Sequence, residues 1–335
     1  MRQQPEMCRL QNDKKKPAAS ARIQNTMANH LNNGWKYYTR VDKYAEGWTV
    51  LEFYTQRYSH SSQDVWEKHI VEGRVQLNGQ NTTPDIRVKV GHTLTYYRQP
   101  WVEPDAPRNI DILFEDDHIL VVGKPAGLPV LPGGNFLDNT LLALVRNQFG
   151  KVDPIHRLGR GTTGLVLFAR TDIARTKLSA DMREGRFGKI YRALVSGTDV
   201  PDQFEITQPI GKIPYPKIHY LYAATPDGKA SHTIGHVLHR EHNRTLCHID
   251  LITGRPHQIR IHLAAIGHPL VGEPLYAPSG IPRSIKDGEP IPFPGDCGYL
   301  LHAYQLHFSH PATERKITVI SPPPDALQTP EEQIA

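Results

Sequence analysis

Apolar positions are sparse through the first 47 residues and then fall into order. Val50, Leu51 and Phe53 open a periodic stretch, and Val65, Trp66, His69 and Ile70 recur at spacings that put them on one helical face. Gly73 stands where that helix needs a C-terminal cap. Arg74-Val75-Gln76-Leu77-Asn78-Gly79 then alternates and ends in an Asn-Gly turn, the strongest short hairpin signal. A second alternating run, Ile86-Arg87-Val88-Lys89-Val90, leads through Gly91 into 93–97. The pattern predicts a small α/β unit of two helices and a small sheet over residues 48–98.

Pro100, Pro104 and Pro107 mark residues 99–109 as a linker. Beyond it no comparable break occurs until about residue 325. Short strand-like runs at 119–122, 165–169, 190–195, 232–238, 247–251 and 316–320 dominate, with helical patterns at 140–149, 173–183 and 257–266. Strand and helix do not alternate regularly. This predicts an α+β domain over 110–325 on a mixed, largely antiparallel sheet. The Pro/Gly-rich stretch 278–298 reads as a surface excursion, 326–335 as a tail, and 1–47, with Lys14, Lys15 and Lys16 in a row, as a basic and poorly ordered arm.

Composition narrows the functional classes. The chain has 39 Lys+Arg against 34 Asp+Glu, a formal charge of +5, which is compatible with a polyanionic partner without demanding one. Cys8, Cys247 and Cys297 are too few and too scattered for a disulfide framework, so a reducing, cytoplasmic setting is expected. No apolar run has the roughly 18–20 residues of a membrane helix, and the N-terminus has no apolar stretch of the secretory type. A monomer is expected.

Two motifs invite misreading. Gly159-Arg160-Gly161-Thr162-Thr163-Gly164 satisfies a dinucleotide fingerprint, but that motif needs a strand before it and a helix after it, and here the strand Leu165-Val166-Leu167-Phe168-Ala169 follows. His236, His239, His242, Cys247 and His248 cluster like metal ligands. Their strands would split these side chains between opposite faces, and the spacing matches no standard zinc pattern. No metal is expected.

A third constellation is denser. Thr253-Gly254-Arg255-Pro256-His257-Gln258-Ile259-Arg260-Ile261-His262 places Arg255, His257 and Arg260 around a helix entrance, which already offers unpaired N–H groups and a positive dipole end. The cluster suits a phosphate or carboxylate.

With these residues, the chain resembles the RluA-type family of RNA pseudouridine synthases over nearly all of 110–325. Phe114-Glu115-Asp116-Asp117-His118-Ile119-Leu120-Val121-Val122-Gly123-Lys124-Pro125-Ala126-Gly127 is similar to the family's opening motif. His156-Arg157-Leu158 with Thr162-Thr163-Gly164-Leu165 is similar to its catalytic loop, and Lys189-Ile190-Tyr191-Arg192 to its tyrosine motif. Residues 253–262 match the third motif, and Leu301-His302-Ala303-Tyr304-Gln305-Leu306 with His310-Pro311 the closing strand. Residues 49–98 resemble the small RNA-binding domain named for ribosomal protein S-four.

The resemblance implies isomerisation of uridine to pseudouridine in structured RNA, rRNA or tRNA, with the base flipped from its stack and no metal or organic cofactor. It implies Tyr191 beneath the flipped base and Arg260 beside the catalytic carboxylate, which it would hold ionised. The family's carboxylate is an aspartate at the position that is Gly159 here. Asp153, on the same loop, is the first candidate to replace it, ahead of Glu273 and Asp250. His156, Arg157, Arg160, Thr162, Arg255 and His257 are expected RNA contacts around the site, and Arg57, Lys68 and Arg74 on the small domain. An RNA-binding protein of this fold that has lost catalysis through Gly159 is the alternative.

Overall fold

The computed structural model describes residues 31–58, 60–216 and 218–334, so most of the expected basic arm lies outside the described residues. The first unit runs β1 (Trp35–Arg40), α1 (Val50–Arg57), α2 (Gln63–Val71), β2 (Val75–Leu77), β3 (Gln80–Asn81) and β4 (Thr93–Arg98). Its four strands form one sheet in the order β1-β4-β2-β3. Thr49 and Glu52 close a reciprocal capping box at the start of α1. Asn78 and Gly79 both take positive φ in the β2–β3 turn, the conformation that an Asn-Gly pair supplies.

Residues 31–47 are not part of a loose arm. β1 pairs along its whole length with β4, and Val41 and Ala45 are buried in the same core as Phe53, Trp66 and Ile70. The expected linker is docked as well. Glu103 is buried and accepts from the Asn32 side chain at 2.8 Å and from the backbone N–H groups of Leu137, Asp138 and Asn139 at 2.8–2.9 Å. Burial alone would raise its pKa, but these donors outweigh burial and hold the carboxyl below its ordinary range. Glu103→Ala is expected to cost about 1–3 kcal/mol through the buried N–H groups left unpaired. Urea unfolding would show this, and an unchanged midpoint would refute it.

The second unit adds β5 (Asp111–Glu115), β6 (Ile119–Lys124), α3 (Leu141–Phe149), β7 (Asp153–Pro154), β8 (Thr163–Ala169), α4 (Asp172–Arg183), β9 (Gly188–Ser196), β10 (Gln203–Ile206), β11 (Ile210–Tyr215), β12 (Ile218–Ala224), β13 (Thr233–Glu241), β14 (Arg244–Leu251), α5 (Gln258–Ala265), β15 (Leu301–Ser309), β16 (Lys316–Ile320) and α6 (Pro330–Ile334). Its main sheet runs β10-β13-β14-β9-β15-β8-β6-β5. β15 pairs β8 through His302 and Ala303 and then β16 from Gln305 on, so it is shared between two neighbours on one side. The β15–β8 pairing is parallel and its flanking pairings are antiparallel, the mixed α+β sheet the pattern predicts.

β6 and β8 are continuous apolar runs, and each is almost fully buried, as strands covered on both faces must be. The tail is docked too. Leu327 packs against Leu194 and Leu246, and Glu332 pairs with Arg192 at 2.8 Å. In the histidine-rich hairpin, His236 and His248 face each other in register with stacked rings, while Cys247 is buried one residue away. Among the described residues no group of three metal-binding side chains comes together.

Candidate functional site

The central strand β8 is entered through the turn 157–162, and the site is built around that entrance. Gly164 pairs with Ala303 on β15, and Ala303 pairs with Tyr191 on β9, so the three stand in one row across the sheet. The row needs its glycine: Gly164 has φ +101°, and a Cβ there would lie 2.3 Å from the Ala303 carbonyl oxygen. Tyr191 is 7% exposed, burial pushes its pKa up to about 12, and its hydroxyl has no hydrogen-bond partner among the described residues.

Two residues before Gly164, Thr162 is buried and shares a 3.2 Å hydrogen bond with the Tyr299 hydroxyl. Thr162 was expected to meet RNA, but it faces inward and holds this tyrosine. The Tyr299 ring lies against the guanidinium of Arg260, with the carbon 4.2 Å from the ring centroid, and Tyr276 stands 5.2 Å away. Tyr191, Tyr299, Leu158 and Ile259 all belong to the main core.

Arg260 is the third residue of α5 and only 2% exposed. It is answered by Glu273: Nε donates to one carboxylate oxygen at 2.8 Å and a terminal nitrogen to the other at 2.5 Å. Its remaining terminal nitrogen donates to the Pro294 carbonyl at 3.2 Å. Glu273 also accepts from the N–H groups of Leu275 and Tyr276. Burial opposes the charge on Arg260, and the bond to Glu273 outweighs it, so the guanidinium stays ionised.

Glu273, ranked behind Asp153 in the sequence, is thus the partner of Arg260. Asp153 is elsewhere. It pairs with Ala169 at the opposite end of β8 and is held by Arg146 at 3.1 Å and Arg175 at 3.6 Å. The reason is geometric: the chain from residue 153 runs back along β8 toward its start, so few residues of sequence become the whole length of the strand. Asp250, on β14, lies 3.5 Å from His248.

The other expected contacts divide. His156 accepts the Leu167 N–H through Nε2, and burial, with Lys189 nearby, brings its pKa down to about 4. His257 adopts the left-handed region, with φ 55°. Its Nδ1 lies 2.8 Å from the Tyr276 hydroxyl, whose own hydrogen is given to the Tyr222 carbonyl, so Nδ1 carries the proton. Burial, Arg260 and Arg157 push His257 down to about 3, which makes it a neutral group and not the cation of an anion receptor.

Arg255 donates to the Ala230 carbonyl, and Arg160 to the Gly295 carbonyl at 2.7 Å. Arg157 is exposed and has no hydrogen bond or ion pair among the described residues. On the small domain, Arg57 is bound to Asp42 at 2.6 Å and Arg74 to Glu72 at 2.7 Å, while Lys68 is exposed and 3.8 Å from Glu72. Arg57 and Arg74 each already answer a carboxylate while remaining part-exposed, so a phosphate would have to compete with Asp42 and Glu72 for them.

Sequence reasoning missed two members. Lys124 is buried, donates to the carbonyls of Pro125, Leu128 and Arg160, and so clamps the 157–162 turn to the end of β6. Burial pulls its pKa to about 7. Tyr299 is the other. The stretch 278–298 just before it is not a plain surface excursion, since the Pro294 and Gly295 carbonyls reach back to Arg260 and Arg160.

Comparison with known proteins points to one family. A family model described as RNA pseudouridylate synthase matches residues 118–265. An uncharacterised RNA pseudouridine synthase of Synechocystis is 43% identical over 284 residues, 84% of this chain and 96% of that protein. RNA pseudouridine synthase 5 of Arabidopsis thaliana is 38% identical, covering 89% and 95%. The dual-specificity RNA pseudouridine synthase RluA of Pasteurella multocida is 36% identical over 66% of this chain and 96% of its own length. Among solved structures, human RNA pseudouridylate synthase domain containing 1 aligns with TM-score 0.53 and 25% identity, over 70% of this chain and 96% of that one.

Proposed function

Because the chain belongs to the RluA-type family of RNA pseudouridine synthases, it isomerises uridine to pseudouridine in RNA, and we propose that it does so in structured rRNA or tRNA, in the cytoplasm and as a monomer. The target uridine leaves its stack and enters a pocket bounded by Tyr191 and the 157–162 turn, because the glycosidic carbon is out of reach inside a helix. Relatives named for the ribosomal large subunit favour rRNA.

The observation that carries the reading is an ionised Arg260, buried against Tyr299 at the entrance to β8, with an unpartnered buried phenol, Tyr191, two strands away. A phenol with a free hydroxyl and a ring face suits a flat, hydrogen-bonding base. Arg157, which has no partner among the described residues, is available to a neighbouring phosphate, and Arg160 and Arg255 line the approach. The pyrimidine needs only release, rotation and reattachment, which are acid–base steps.

The test is pseudouridine mapping in rRNA and tRNA from cells lacking the protein, before and after incubation with it. New pseudouridine at defined sites is expected, with Tyr191→Leu reducing the rate by about 100-fold or more at little change in RNA affinity. Absence of any new pseudouridine would refute the reading, and full activity of Tyr191→Leu would remove that residue from it.

A further inference from the structure

This inference rests on the isomerase reading and concerns which group works on the uridine when position 159 is glycine. The space at 159 is occupied. A Cβ built on Gly159 would lie 2.7 Å from the Tyr299 hydroxyl oxygen and 3.5 Å from Thr162 Oγ1. The same ring requires Gly161, where a Cβ would lie 2.9 Å from Tyr299 Cε1. Neither glycine has positive φ, so it is the tyrosine and not the backbone that demands them.

The phenol oxygen therefore lies 2.7 Å from where a side chain at 159 would begin, on a tyrosine that is itself 3% exposed and next to a residue that is only half-buried. Its ring lies on Arg260, the residue expected to accompany the carboxylate. Neither Glu273 nor Asp153 competes for the place. Both oxygens of Glu273 are taken, by Arg260 and two backbone N–H groups, and Asp153 is at the far end of β8.

We propose that Tyr299 takes the place of the missing carboxylate and serves first as acid and then as base on the flipped uridine. As the C1′–N1 bond breaks, its electron pair goes to N1 and the Tyr299 hydroxyl proton follows it. The ribose C1′ is left electron-poor and faces the phenolate. The uracil turns, the C5=C6 pair forms the new C5–C1′ bond, and the C5 proton returns to the Tyr299 oxygen, restoring the double bond. One hydrogen has moved from C5 to N1, and nothing is oxidised or consumed. Burial raises the phenol's pKa, which keeps it in the acid form that the first step needs. Arg260, against the ring, opposes that shift and steadies the phenolate once formed.

Tyr299→Phe separates this role from packing, because it keeps the ring on Arg260 and removes only the oxygen. Tritium release from rRNA and tRNA transcripts labelled at uridine C5 gives the rate. For Tyr299→Phe, kcat is expected to fall about 100-fold or more, with KM and Tm close to the parent. Gly159→Asp alone is expected to lose activity, since the carboxylate must push into the phenol. Gly159→Asp with Tyr299→Phe should recover at least about tenfold over Tyr299→Phe, the oxygen having been vacated for a carboxylate. Tyr299→Phe within threefold of an active parent overturns the proposal and leaves the isomerase reading standing. So does a gain in rate on Gly159→Asp alone. A parent inactive on every RNA overturns both.

Discussion

Replacing Glu273 by alanine is expected to destabilise the protein by about 3–5 kcal/mol, because it leaves the Arg260 guanidinium buried and unanswered. The two are 1% and 2% exposed, and solvent cannot take over the lost bonds without opening the core around Tyr276 and Tyr299. The N–H groups of Leu275 and Tyr276 lose their acceptor in the same step. For a domain of this size the cost corresponds to a fall in Tm on the order of 10 °C.

The paired replacement Arg260→Met/Glu273→Leu provides the contrast. Exchanging a buried ion pair for apolar groups is often nearly neutral, so this variant should melt close to the parent. It should nevertheless make no pseudouridine, since Arg260 is gone from beside Tyr299. Calorimetry on both variants decides the matter. A Glu273→Ala protein melting at the parent temperature would mean that Arg260 is not held as the geometry states.

Elements written as local pattern were legible in the sequence. The apolar spacing of Trp66 and Ile70 became the buried face of α2, and Asn78-Gly79 became the left-handed turn between β2 and β3. The continuous run around Leu165 became the central strand β8. Thr140 and Thr171 cap α3 and α4, each one residue before the helix begins.

What sequence could not give was pairing over long separations. β1 is an exposed edge strand rich in aromatics, so its polar pattern hid its membership of the small sheet. Arg260 finds Glu273 thirteen residues on, across a helix and a turn, whereas Asp153 is near Gly159 in sequence and far from it along the strand. The sterically linked pair Gly159 and Tyr299 is separated by 140 residues. Its only trace in the sequence is a glycine where an aspartate is expected, and that trace says that something is missing without saying what has filled the space.

Acidification is expected to unfold the protein well before its carboxylates titrate. His156, His257 and His262 are all held neutral by burial, with pKa values near 4, 3 and 4, against an ordinary value of 6.5. For two of them the wiring explains the resistance to a second proton. His156 Nε2 accepts the Leu167 N–H, so that lone pair is occupied. His262 Nε2 can only donate to the Gln208 carbonyl, which leaves Nδ1 to accept from Thr233.

Between the folded and unfolded pKa values the unfolded chain binds more protons than the folded one, so stability falls as pH falls. The stabilisation is complete above about pH 6.5 and is lost progressively as pH drops toward the folded values of 3 to 4. Near pH 5 each histidine has forfeited about 2 kcal/mol, and the three together about 6 kcal/mol, comparable to the whole stability of a typical domain. Urea midpoints measured between pH 7.5 and 5 should therefore decline steeply. His262→Gln, which can keep the donor to Gln208 and cannot be protonated, should flatten the slope by about one third. A midpoint that holds steady from pH 7.5 to 5 would show that these imidazoles take up protons in place, and that the buried network around α5 is looser than its hydrogen bonds imply.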